Sequence, residues 1–247
     1  MNRKIIAVAM LIFSAMMLLG GCINMSGRRV VYGTGAMVSR SLSGGNFTEL
    51  EIGGGASFTV VFKQSDDISV HVEMQKNLFD LHKMSISRGA LSITRTNNNT
   101  IIYGDYRPRV YISAPYLTAI NVGGALHTED WDAIRTPSFS ITSNGFVGMA
   151  APLEVDTLQL HLSGASEIEF WGDAQNVVIT KNGAGSILAR GLQTKDAVIT
   201  LNGAGDIEIA VSDTLDATLA GVGNIRYIGN PTVTQNRSGL GSIRRME

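Results

Sequence analysis

A glycine-centred tripeptide recurs along the second half of this 247-residue chain at almost constant spacing, and few folds accommodate that. The anchors are Gly164-Ala165-Ser166, Gly183-Ala184-Gly185, Gly203-Ala204-Gly205, Gly221-Val222-Gly223 and Gly239-Leu240-Gly241, with weaker copies at Gly124-Ala125-Leu126 and Gly145-Phe146-Val147. Successive anchor glycines from Gly124 to Gly239 are 21, 19, 19, 20, 18 and 18 residues apart, a mean of about 19. That is a solenoid period. Isoleucine stands four residues after five of the glycines, at Ile168, Ile187, Ile207, Ile225 and Ile243. Before the glycines, alternate positions are apolar: Leu158, Leu160 and Leu162, then Val177 and Ile179, Ile199 and Leu201, Leu215 and Leu219. Alternation is the signature of a half-buried strand. Each repeat therefore reads as strand, tight glycine turn, strand, looser turn, with glycine supplying positive φ.

A unit this short cannot bury its own apolar face, but a stack of such units can, with parallel strands about 4.8 Å apart. The expected fold is all-β, a right-handed parallel β-helix whose interior is built of columns of Ile, Leu and Val. The position before each isoleucine holds Glu167, Ser186, Asp206, Asn224 or Ser242, which is not the repeated aspartate of a calcium-binding solenoid. Gly55-Ala56-Ser57 reads as one more copy of the turn, between Leu50, Ile52 and Phe58, Val60, Phe62. Further strands are expected at 68–73, 84–87, 91–96 and Arg109–Ala114, with a short helical turn at 78–81. If every mature residue were in the solenoid there would be about 12 coils, fewer if the first half forms a cap. The final coil has no evident cap after it. Its edge is guarded by Arg244 and Arg245 or docks on a second copy, so the expected state is a monomer or a weak dimer.

The N-terminus reads as an address. Arg3 and Lys4 precede an apolar run at 5–19, too short for the roughly 20 residues of a membrane span. The run ends Leu19-Gly20-Gly21-Cys22, which resembles a bacterial lipobox, and Cys22 is the chain's one cysteine. Residues 1–21 are then a lipoprotein signal peptide, and residues 22–45, rich in Gly, Ser and Arg, a lipidated cysteine and flexible tether. Residues 46–247 form the β-helix domain, with regular repeats over about 118–247. Ile23, where an aspartate would favour inner-membrane retention, points to an outer-membrane lipoprotein, on either side of that membrane. The formal charge of −1 argues against nucleic acid.

Catalytic chemistry is hard to find. His71, His82, His127 and His161 lack metal-site spacing, and no Gly-x-Ser-x-Gly elbow occurs. No metal or cofactor is expected. The position five after each anchor (Glu129, Ala150, Glu169, Leu188, Glu208, Arg226, Arg244) reads as a solvated outward column. Seven after Gly124 and Gly164 stand Trp131 and Trp171, with Pro152 between them in register. By parity this column faces outward, where tryptophans stack on sugar rings or on a protein partner. Alternatively the position lies in the second turn and the indoles wrap an edge of the core.

Residues 40–47 (Arg-Ser-Leu-Ser-Gly-Gly-Asn-Phe), 50–57 (Leu-Glu-Ile-Gly-Gly-Gly-Ala-Ser), Val72-Glu73, Asn77-Leu78, 89–93 (Gly-Ala-Leu-Ser-Ile) and 110–117 (Val-Tyr-Ile-Ser-Ala-Pro-Tyr-Leu) precede the Gly-Ala-Gly-Asp-Ile-type repeats. In this order they resemble the putative auto-transporter adhesin, head-GIN domain family, over about 40–245. The resemblance implies a two-sheet β-helix similar in shape to pectin lyases, without shared catalytic residues. The sequence departs at Gly145-Phe146-Val147, where bulky residues suggest a distorted turn. The reading is a lipid-anchored, non-enzymatic envelope protein, an adhesion or binding module presenting a rigid surface to a glycan or an envelope protein. The alternatives are a polysaccharide lyase or hydrolase, and a periplasmic scaffold or stress accessory.

Overall fold

The computed structural model describes residues 29–104 and 108–246. They are 74% strand and 3% helix, and they wind into a parallel β-solenoid of about seven turns with a spacing of roughly 19 residues. The repeating strands are Ile134–Ser143, Phe146–Leu162, Ala165–Lys181, Gly185–Leu201 and Ala204–Leu219, followed by Val222–Ile228, Thr232–Arg237 and Leu240–Arg245. Each long strand bends mid-way, so its first part lies in one sheet and its second part in another. Consecutive coils run the same way and pair in parallel. The expected columns are present: Ile168 lies over Ile187, Ile187 over Ile207, Ile207 over Ile225, and Ile225 over Ile243. On the second sheet Leu160, Ile179, Ile199 and Ala217 stack in one buried column. These residues form strands because alternation gives each coil one apolar face, and β-branched side chains pack well on a pleated surface.

The anchor glycines are needed for a reason other than the expected one. None of Gly124, Gly145, Gly164, Gly183, Gly203, Gly221 and Gly239 has positive φ. A Cβ on Gly145, Gly164, Gly183, Gly203, Gly221 or Gly239 would instead lie 1.7–2.1 Å from the carbonyl oxygen of the anchor glycine one coil earlier. Positive φ occurs two residues later, at Gly185, Gly205, Gly223 and Gly241. Gly55 does not belong to the ladder. Ala125 pairs with Ser57, so Gly124 stacks on Ala56, while Gly54 and Gly55 make a separate positive-φ turn. The turn at Phe146 keeps its register, with Phe146 over Ala165. Its ring lies on His127 at 4.9 Å, and Gly148 leaves it room, so the expected distortion is absent.

The first coil comprises Glu49–Gly53 and Ser57–Gln64, and the next comprises Ala119–Val122 and Ala125–Trp131. Residues 65–118 leave the solenoid between them and build a cap. Ala90–Arg95 and Arg109–Ala114 extend the two sheets in parallel. Their outer edges then take antiparallel partners, His82–Ser87 and Ser69–Gln75, and Met37–Leu42 joins the latter. The expected helical turn is a 3₁₀ segment, Lys76–Leu81, that buries Leu78 and Phe79 in the cap. This excursion is why there are about seven coils and not twelve. At the other end, among the described residues, no strand pairs with the outer edges of Thr232–Arg237 and Leu240–Arg245. Cys22 and the signal peptide before it lie outside the described residues, as does the expected tether up to residue 28. The rest of that expected tether, to residue 45, includes the strands Arg29–Tyr32, paired with Thr100–Tyr103, and Met37–Leu42, paired with Ser69–Gln75.

Candidate functional site

The two tryptophans part company. Trp171 pairs in register with Pro152 and Gly191 and is 43% exposed. Trp131 is only 8% exposed and packs on Phe62, with ring centroids 5.4 Å apart. The outward column fails at Trp131 because the strand carries one extra residue. Thr128 pairs with Val60 and Trp131 with Phe62, so three steps on one strand face two on the other. The irregularity contains Asp130 at φ 50°, leaves Glu129 and Asp130 both exposed, and turns Trp131 inward. The sequence held a signal for this. Strict alternation from Leu126 would have buried Asp130, which is costly for an unpaired carboxylate.

The acids around that bulge are engaged in ion pairs. Lys63 Nζ lies 2.6 Å from Asp130 and 3.2 Å from Asp132, and Arg109 lies 3.0 Å from Glu129. The hydrogen bond to Asp130 is the main cause raising the Lys63 pKa. Arg135 clasps Glu154 with two bonds, at 2.8 and 2.9 Å, and holds its carboxyl below the usual range. The histidines are dispersed. His71 contacts Ser41, His127 stacks on Phe146, and His82 donates Nδ1–H to the Leu78 carbonyl. Burial is the main cause holding His82 below the ordinary imidazole range. Among the described residues, no three His, Cys, Asp or Glu side chains are grouped to hold a metal ion.

A groove of about 530 Å³ opens beside the Trp171 strand, where coil lengths change. The step from Gly183 to Gly203 is 20 residues and the next is 18. The longer coil spends its extra length at Arg190, Gly191 and Leu192, which have no partner on the following strand: Ala189 pairs with Ile209, but Gln193 pairs with Ala210. Ala174, Ala210 and Val211 are buried residues that line the groove. Asp173, Gln175, Arg190, Gln193 and Asn230 add polar groups to its wall. An apolar surface with a few converging polar groups is the usual form of a ligand site. Gly191 lets Trp171 lie close to the bulge, since a Cβ there would come within 2.9 Å of the Trp171 Cβ.

Arg190 is fixed from below. Its Nε sits 2.9 Å from Glu208 Oε2, off the hydrogen-bond direction, so the attraction is coulombic. Glu208 also bonds Arg226, which in turn bonds Asp206. The expected outward column is real in register from Ala150 through Glu169, Leu188, Glu208 and Arg226 to Arg244. Its expected first member, Glu129, lies in the bulge and pairs with no neighbouring strand among the described residues. Glu208, however, is not solvated. Its side chain is 8% exposed beneath the two arginines.

With the architecture and groove in place, the relationships are clear. Residues 46–231 match the family described as putative auto-transporter adhesin, head GIN domain. The chain belongs to this family. Similar solved structures include a putative adhesin from Bacteroides fragilis, 20% identical with a TM-score of 0.80, over 87% of this chain and all of that one. A putative lipid binding protein from Parabacteroides distasonis is 22% identical with a TM-score of 0.66, over 89% of this chain and all of that one. A putative adhesin from Parabacteroides merdae is 18% identical with a TM-score of 0.58, over 89% of this chain and all of that one. At these identities the likeness establishes the fold. No curated protein matches the chain in sequence. Among the described residues, no helix is long and apolar enough to cross a membrane.

Two residues escaped the sequence reading. Lys181 is 0% exposed between leucines of neighbouring coils, and its signal was its alignment with Leu162, Leu201 and Leu219. Arg95 carries buried nitrogens in a second cavity, in the cap, and nothing in its local sequence marks it.

Proposed function

We propose that this protein is a lipid-anchored, non-enzymatic module of the bacterial envelope that binds a glycan or an envelope protein through the groove beside Trp171. The observation that carries this reading is a half-exposed tryptophan, outside the groove lining but two residues before Asp173 and paired with Gly191 next to Arg190, both of which (Asp173 and Arg190) line a groove of apolar surface and polar wall. An exposed indole on a rigid frame loses little entropy when it stacks on a sugar face or a partner side chain. Family membership and the folds of the adhesin-type neighbours support a binding role over a catalytic one. Cys22 carries the lipid in this reading and anchors the cap end of the solenoid, because the strands Arg29–Tyr32 and Met37–Leu42 that follow it pair with Thr100–Tyr103 and Ser69–Gln75.

Co-sedimentation with isolated peptidoglycan or envelope polysaccharide tests the site. Trp171→Ala should weaken binding at least about tenfold with the melting midpoint unchanged. Trp131→Ala should show the reverse, a loss of about 3–5 kcal/mol in stability through the Phe62 contact. Equal binding by wild type and Trp171→Ala would remove the groove from the function. The anchor is tested separately. Cys22→Ser should shift the protein from the membrane fraction to the soluble one, and protease treatment of intact cells reports which way the rod faces. Digestion only after the outer membrane is opened would end the adhesin reading and leave a periplasmic binding role.

A further inference from the structure

The cap holds a cavity of about 290 Å³, well away in sequence from the Trp171 groove and lined by Gly55, Ser57, Arg95, Asn98 and Thr100 among others. Arg95 is its one residue of fixed positive charge, and no carboxylate lines it among the described residues. The Nε and Nη2 atoms of Arg95 are shielded from solvent and have no hydrogen-bond acceptor. These two nitrogens form one edge of the guanidinium, the edge that grips two oxygens of a carboxylate or phosphate in parallel. Native proteins rarely leave such donors unanswered.

The surroundings fit an anion. Gly54 and Gly55, at φ 60° and 71°, lie flush on Arg95: a Cβ on Gly54 would come within 3.1 Å of the Arg95 backbone nitrogen. Side chains are thereby kept off this wall. Ser57, Asn98 and Thr100 bring hydroxyl and amide donors to the same space. His82, also on the lining, is held below the ordinary imidazole range first by burial, with the Arg95 charge contributing. Asn98 stands on the exposed turn at 97–99.

We propose that this cavity binds an oxyanion, a carboxylate or a phosphate, held side-on by Arg95. The proposal is independent of the groove beside Trp171, and its failure would leave that reading intact. The test is thermal melting and calorimetric titration of the full chain in detergent with glucuronate, with inorganic phosphate, and with glucose as a neutral control. Saturable binding of glucuronate alone identifies a uronate-type ligand, and binding of phosphate alone identifies a phosphate group. In either case Arg95→Lys, which keeps the charge but loses the two-pronged edge, should weaken binding at least tenfold. Arg95→Met should abolish it while melting no lower than wild type, because two buried donors without acceptors have been removed from a half-buried side chain. Absence of saturable binding by either anion overturns the proposal, as does Arg95→Lys binding as tightly as wild type. If Arg95→Met does not fold, the Arg95→Lys titration decides.

Discussion

Gly183→Ala is expected to destabilise the solenoid by about 3–5 kcal/mol and to split its unfolding into two steps. The new Cβ would sit 1.7 Å from the Gly164 carbonyl oxygen, inside any tolerable contact. The opposing atom is backbone, so no side-chain rotation relieves it. The coils must part, and parting strains the bonds that Asn182 and Gly183 donate to the Leu162 carbonyl and that Ala204 donates to the Gly183 carbonyl. Overpacking costs about 1–3 kcal/mol and each weakened ladder bond about 1 kcal/mol more. Because a solenoid's stability is close to a sum over neighbouring units, a weakened interface in mid-stack uncouples the coils on either side. Urea denaturation followed by circular dichroism measures both effects. Gly45→Ala is the control, since nothing lies within 4 Å of its Cβ, and it should change stability by less than about 0.5 kcal/mol. A loss below 1 kcal/mol for Gly183→Ala would show that the ladder can breathe and that close approach does not explain the glycines.

The same ladder shows what a sequence reveals about such a fold. Periodicity alone places the anchors and stacks Ile168, Ile187, Ile207, Ile225 and Ile243, because a repeat forces identical residues into register. Anything that breaks the period is harder to see. Counting seven from Gly124 puts Trp131 outside, yet one bulge residue reverses it. Matching Gly55 to Gly124 by appearance misses the true partner, Ala56, by one residue. The cap is less legible still. The pairings of Ser69–Gln75 with Arg109–Ala114 and with Met37–Leu42 join residues 28 or more positions apart, and no local pattern encodes them. The groove beside Trp171 was half visible. The 20-residue and 18-residue steps are in the spacing, but a step in length becomes a groove only once the unpaired residues Arg190, Gly191 and Leu192 are located.

Lys181 offers the opposite experiment, a substitution that stabilises. Its side chain is fully buried between Leu162 and Leu201 in adjacent coils, and among the described residues its ammonium makes one hydrogen bond, to Ser166 Oγ at 3.3 Å. Burial is the main cause pushing its pKa below the ordinary value of 10.5, with Glu167 opposing. One neutral hydroxyl does not offset the desolvation of an ammonium ion. Lys181→Met keeps an unbranched shape and removes the charge, and it should raise stability at pH 7 by about 1–3 kcal/mol, net of the bond lost by Ser166. The pH dependence separates this cause from improved packing. Below the lowered folded-state pKa both states are protonated, and the native state bears the full penalty. Between that pKa and 10.5 the unfolded chain binds the extra proton, so wild-type stability rises with pH. Lys181→Met lacks this rise, and its advantage over wild type should shrink across the same window. A constant advantage from pH 7 to above 10.5 would mean that the gain comes from packing and that the buried charge contributes nothing.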